Sequence, residues 1–68
     1  MKKNMTPATR ADLLRAALLT IYPEAGDDAA HLMTHALSDM RHLADASGED
    51  FAASDRTAYT IYLREAAA

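Results

Sequence analysis

Cysteine and tryptophan are absent from this chain of 68 residues, and glycine and proline occur only twice each. Without cysteine the chain forms neither a disulfide nor a thiolate metal site, which fits a reducing cytoplasm. Alanine, leucine and arginine, all strong helix formers, are frequent instead. A chain this short buries a small fraction of its surface. We therefore expect it to be stabilised by association, as a homodimer or with a partner.

Strong charge of either sign is also lacking, because the formal net charge is −3. Nucleic-acid binding needs a basic face, so we expect no nucleic-acid partner. The apolar run at residues 16–19 is too short for a signal peptide or a membrane span. We expect no membrane partner and a cytoplasmic location. Residues 1–5 are predicted to be a flexible N-terminal tail, and residues 6–68 a single helical domain.

Capping signals predict three helices, at about 7–21, 27–46 and 50–66. Thr6 followed by Pro7 is typical of a helix start. Thr9 with Asp12 has capping-box spacing and offers a later start. The first helix is expected to end near residue 22, because Pro23 disfavours a helical residue before it.

The other two helices have their own signals. Asp27 and Asp28 suit the positive end of the second helix, and Gly48 suits its left-handed C-cap. Asp50 is the expected N-cap of the third helix. The alternative is a later start with Ser54 as the cap, but we prefer one continuous helix from residue 50.

Apolar residues at helical spacing define one face of each predicted helix. On the first helix this face consists of Ala11, Leu14, Leu18 and Ile21. On the second it consists of Ala29, Leu32, Met33, Ala36, Leu37, Met40, Leu43 and Ala44. On the third it consists of Phe51, Ala58, Ile61 and Tyr62. The pattern predicts an all-α fold, a small three-helix bundle completed by homodimerisation. Helices one and three are expected to pack on the apolar arc of helix two. Leu19 falls on the polar side of helix one and is an interface candidate.

Three histidines lie on the side of the second helix opposite its apolar arc, and we expect them to face water or a second surface. His31 with His35, or His35 with Asp39, has the one-turn spacing that can hold a metal ion. His42 lies about 10 Å along the helix from His35, so one ion cannot bind all three. We prefer a solvated polar face with no metal or other cofactor. A metal- or pH-responsive regulator using His31, His35 and His42 is the alternative.

Catalysis has little support in the sequence. The acidic residues suit caps and surface charge, and no serine has a nucleophile-elbow context, so we expect no enzyme. Tyrosine is enriched at interfaces. The candidate partner-binding residues are Leu19, Tyr22, His35, His42 and Tyr59.

Residues 39–66, somewhat under half of the chain, carry a spaced pattern. Its members are Asp39, His42, Asp45, Gly48, Asp50, Phe51, Ala58, Tyr62 and Glu65. The pattern resembles that of small helical proteins from proteobacterial phages, plasmids and integrated elements. The resemblance implies a non-enzymatic accessory protein that binds and modulates or inhibits a host protein, in the manner of an anti-defence or anti-CRISPR protein. A further alternative is a small helix-turn-helix DNA-binding regulator, although helix three offers only Arg56 and Arg64 for that purpose.

Overall fold

A computed structural model describes residues 5–67, in which three α-helices and a single turn of 3-10 helix occur without any strand. Helix α1 spans Pro7–Ile21, the 3-10 turn Pro23–Ala25, α2 Ala29–Ser47 and α3 Phe51–Ala67. The predicted all-α class is confirmed. Helix α1 has the predicted bounds, whereas α2 and α3 begin one or two residues later than predicted. Most of the predicted tail, residues 1–4, lies outside the described residues.

Helix α1 begins where a threonine cap precedes a proline. The Thr6 hydroxyl accepts the Thr9 backbone N–H at 3.2 Å, and Pro7 is the first helical residue. The alternative start at Thr9 is wrong, because that residue already lies within the first turn. The helix ends at Ile21, and Tyr22 leaves the helical region with φ −123° and ψ 65°. The proline that follows Tyr22 causes this break, as predicted.

Helix α2 begins with an aspartate cap. The Oδ1 atom of Asp28 accepts the backbone N–H of His31 at 3.1 Å. This bond satisfies one of the backbone donors that every helix leaves free at its N-terminus. Of the two aspartates expected at this position, Asp28 is therefore the cap.

A glycine ends α2 in the left-handed conformation that the sequence predicts. Gly48 has φ +72°, its N–H bonds the Asp45 carbonyl at 3.4 Å, and the Glu49 N–H bonds the Ala44 carbonyl at 2.9 Å. These two bonds form a Schellman motif, which satisfies carbonyls that the last helical turn would otherwise leave unpaired.

Helix α3 starts immediately after this turn. The Asp50 carboxylate caps it by accepting the Ala53 N–H at 3.3 Å. The helix is continuous from Phe51, so the alternative start with Ser54 as cap is wrong. No described helix combines the length and the apolar character that crossing a membrane requires.

The contacts within the chain define two compact units, one ending at His35 and one beginning at Ala36. The boundary falls inside α2. We call these the N-terminal unit and the C-terminal unit, and we describe each by itself.

Few side chains are buried in the described residues. They are Ala25, Leu32, Ala36 and Ala44. The expectation that the whole apolar arc of α2 is buried is wrong for its larger members, because Met33, Leu37, Met40 and Leu43 are exposed. Three of the four buried residues are alanines, whose short side chains allow close approach but contribute little apolar area.

The other two predicted apolar faces need the same correction. In α1, Leu14 and Ile21 are exposed, whereas Leu18 and Leu19 are half-buried. Leu19, expected on the polar side, lies in the last turn of α1, at the end that meets the 3-10 turn. In α3 only Phe51 of the predicted face is half-buried, and Ala58, Ile61 and Tyr62 are exposed.

Candidate functional site

An aromatic cluster lies in the N-terminal unit, where the chain turns back after α1. The Tyr22 ring lies 5.7 Å from the His35 ring, centroid to centroid. Its hydroxyl donates a hydrogen bond to the His35 carbonyl oxygen at 3.3 Å. The His35 ring in turn lies 4.4 Å from that of His31. The one-turn spacing of the two histidines therefore brings their rings into contact.

His31 is half-buried, and its Nε2 atom is covered and has no hydrogen-bond partner among residues 5–67. The histidines were expected to face water or a second surface, and exposure to water does not hold for His31. The His31 ring packs against the ring of His35, which Tyr22 also contacts after the break at Pro23. His35 and His42 are exposed, as expected.

The two adjoining histidines supply imidazole nitrogens, which are common metal ligands. In the described part of the chain, no three histidine, aspartate or glutamate residues are placed to share a metal ion. His31 and His35 therefore offer two ligands at most. The covered Nε2 of His31 also limits access to one of them.

A groove opens in the C-terminal unit, where α2 ends and α3 begins. Its volume is about 300 Å³, and its lining is Met40, Leu43, Ala44, Ser47, Glu49, Phe51 and Ser54. We call it the junction groove. The sequence pattern predicted Met40, Leu43 and Phe51 to be core residues. It did not predict that they would line an open, mainly apolar depression.

Arg41 is placed over the main aromatic residue of this groove. Its guanidinium carbon lies 4.6 Å from the centre of the Phe51 ring. A cation over an aromatic face is attracted by the ring quadrupole, worth about 0.5–1 kcal/mol at an exposed site. This contact orients Phe51 at the start of α3.

A second apolar surface runs along the later turns of α3. It consists of Tyr59, Tyr62 and Leu63, which the i, i+3, i+4 spacing places on one side of the helix. The two tyrosine rings lie 6.1 Å apart and are nearly parallel. Tyr59 is 61% exposed and Tyr62 59% exposed. We call this surface the tyrosine stripe.

The predicted partner-binding residues fall in both units. Leu19 and Tyr22, both half-buried, and His35 belong to the N-terminal unit, and the rings of Tyr22 and His35 contact each other. His42 and Tyr59 are exposed and belong to the C-terminal unit. Sequence analysis did not select the groove residues as candidates. The length of the chain could have indicated these residues. A chain of 68 residues is too short to bury all the apolar side chains of its helices, so some of them must stay exposed.

Comparison of the chain with protein-family models, with curated proteins and with solved structures finds no match in any of the three.

Proposed function

We propose that this chain is a non-enzymatic helical protein that acts by binding other proteins through its C-terminal unit. The observation that carries the proposal is the apolar surface of this unit. Leu43 is 65% exposed in the junction groove, and Tyr59 and Tyr62 are exposed to a similar degree in the tyrosine stripe. Exposed large apolar side chains grouped into surfaces of this kind are typical of protein-binding sites.

The chemistry of the two surfaces supports a protein partner. Tyrosine and methionine are enriched in protein interfaces, and both occur here next to polar rim residues. The C-terminal unit carries six acidic and three basic residues, a formal net charge of −3. Negative charge opposes approach to the phosphate backbone, so this unit suits a protein better than the alternative DNA partner.

The setting we propose is a phage or another mobile element, with a host protein as the target. Its support is the pattern of residues 39–66, which falls entirely within the C-terminal unit. In this proposal the chain inhibits or modulates a host protein by occupying its surface, as an anti-defence or anti-CRISPR protein does.

We also propose that the tyrosine stripe pairs with a second copy of the chain. A buried aromatic side chain contributes roughly 150–250 Å². Two tyrosines that are about three-fifths exposed therefore supply a sizeable part of the about 800 Å² per partner that a standard interface buries. A symmetric dimer would place the same stripe on both sides of the interface.

A metal- or pH-responsive regulator is the second candidate, and the contact of the His31 and His35 rings favours it. Protonation of both rings would place two positive charges against each other and weaken the packing of Tyr22. Elemental analysis of protein purified without an affinity tag tests the metal form. A stoichiometric transition metal favours this candidate, and its absence counts against the metal form.

Affinity capture from proteobacterial lysate tests the leading proposal. The baits are the wild type, a Leu43→Asp/Tyr59→Ala variant that alters both surfaces, and a Leu13→Asp control. Leu13 is 55% exposed in α1, so the control introduces the same charge at a similarly open leucine outside the C-terminal unit. We expect one host protein to be retained by the wild type and the control, and lost from the double variant.

The captured protein is then purified and mixed with the wild-type chain. The proposal predicts a complex of fixed stoichiometry and a loss of the host protein's activity that follows that stoichiometry. Covalent change of the host protein by substoichiometric chain would contradict a non-enzymatic role. Equal capture by all three baits would contradict binding through the C-terminal unit.

A further inference from the structure

We infer that the junction groove accepts an apolar anchor side chain from a basic amphipathic helix of the partner protein. This inference rests on the proposed protein-binding function and names the chemistry of the partner. It is carried by two features of the C-terminal unit, the mainly apolar lining of the groove, which includes Glu49, and the net negative charge of the unit.

The lining suits an apolar anchor. Met40 and Leu43 are both exposed along the groove, and Phe51 forms its aromatic part. Methionine is flexible and polarizable, and it adapts to side chains of different shapes. The volume of about 300 Å³ is at the lower end of the range of about 300–1,000 Å³ found for ligand sites. The groove therefore fits one or two side chains of a helix that lies across it.

The net negative charge of the C-terminal unit favours a partner helix whose polar face is basic. The net charge of −3 lies entirely in residues 36–68, because residues 1–35 carry four acidic and four basic residues. Glu49 is part of the groove lining itself. Arg41 is a basic residue nearby, and it is engaged over the Phe51 ring. A helix with lysine and arginine beside its apolar anchors is complementary to this surface.

The same charge argues against a second copy as the occupant. Another C-terminal unit would bring its own net charge of −3 to the groove, and like charges brought together disfavour association. A helix is also the favoured form of partner segment. Residues 5–67 present no strand edge for β-augmentation, whereas a groove beside a helix matches the helix-in-groove mode with anchors at i, i+3 and i+4.

Two synthetic helical peptides test the inference on the full chain. Both have the same leucine and phenylalanine face; the polar face is lysine and arginine in one and glutamate and aspartate in the other. Fluorescence anisotropy of the labelled peptides gives the two dissociation constants. We expect the basic peptide to bind at least about tenfold more tightly, and its affinity to fall as salt screens the charges.

Matched variants locate the binding. Leu43→Asp should raise the dissociation constant of the basic peptide by about tenfold or more, as loss of an interface anchor does. Leu13→Asp should leave this dissociation constant unchanged. Glu49→Lys should reduce the preference for the basic peptide, whereas Glu24→Lys, outside the C-terminal unit, should leave it unchanged. Circular dichroism of each variant checks that the helices are retained.

Four results would overturn the inference. Equal binding of both peptides would show apolar attraction without charge selection, and binding of neither would show that the groove takes no such helix. A dimer that dissociates on Leu43→Asp would show that a second copy fills the groove. If a captured host protein is lost on Tyr59→Ala but retained on Leu43→Asp, the proposed function stands and this inference fails.

Discussion

His31 carries a ring nitrogen that is covered and has no hydrogen-bond partner among the described residues. A buried polar atom without a partner costs about 1–3 kcal/mol. The ring also packs against the His35 ring in a tilted arrangement, a contact that an aromatic residue without polar atoms can preserve. Replacing His31 by an apolar aromatic residue therefore separates two contributions to the free energy of unfolding, that of the unpaired nitrogen and that of the ring contact.

We expect His31→Phe to leave the free energy of unfolding unchanged or to raise it by about 1 kcal/mol, because an apolar ring removes the unpaired atom and keeps the ring contact with His35. Urea unfolding followed by circular dichroism measures the change. His42→Phe is the matched control, since His42 is exposed and surface substitutions usually change stability by less than about 0.5 kcal/mol. A clear destabilisation by His31→Phe alone would indicate that Nε2 has a partner in solution.

Single residues are also the scale at which the sequence predicts this structure best. Thr6, Gly48 and Asp50 perform the capping roles assigned to them. A cap depends on backbone groups within about four residues, so the information lies in the neighbouring sequence. The environment of His35 could not be predicted in this way, because its ring is contacted by Tyr22, which lies outside α2.

Among the elements, the connection between α2 and α3 has a backbone conformation that depends on Gly48. Gly48 adopts φ +72° and open space surrounds the position of its missing Cβ. A side chain at this residue therefore meets no clash with other groups, and its cost is the left-handed backbone conformation itself. Two hydrogen bonds depend on this conformation, the ones donated by Gly48 and Glu49.

Gly48→Ala should lower the free energy of unfolding by about 1–2 kcal/mol, the cost of placing a Cβ in the left-handed region. Gly48→Asn should cost less, since asparagine tolerates this region better. Thermal and urea unfolding at one fixed protein concentration rank the three proteins. An alanine variant as stable as the wild type would contradict the observed conformation of the joint.

The apolar faces of the helices were predictable as patterns, but their burial was not. Met40 and Leu43 have the spacing of core residues, yet both are exposed. Periodicity tells which side of a helix is apolar, and it does not tell whether that side is covered by the same chain or by another protein. The groove and the stripe therefore appeared only with the structure.

For the whole molecule, the proposed function depends on which protein binds each apolar surface of the C-terminal unit. On α3, Phe51 of the junction groove and Tyr59 of the tyrosine stripe lie about 80° apart around the helix axis, from about 100° per residue. The two surfaces thus allow a second copy on one and a host protein on the other. Pairing along the stripe would be driven by apolar contact between acidic units, so salt should strengthen it by screening their repulsion. Peptide binding in the groove should weaken under the same conditions.

The exposed apolar surface of the C-terminal unit is proposed to be a protein interface, and the mass of the chain in solution is its most direct test. Pairing along the tyrosine stripe would double that mass. Light scattering after size exclusion gives this mass for the wild type, for Tyr59→Ala/Leu63→Asp and for the Leu13→Asp control. The account predicts two copies of the 7.4 kDa chain for the wild type and the control, and one copy for the stripe variant with its helices retained. A wild type that stays at one copy as its concentration is raised would contradict the claim that the tyrosine stripe pairs with a second copy.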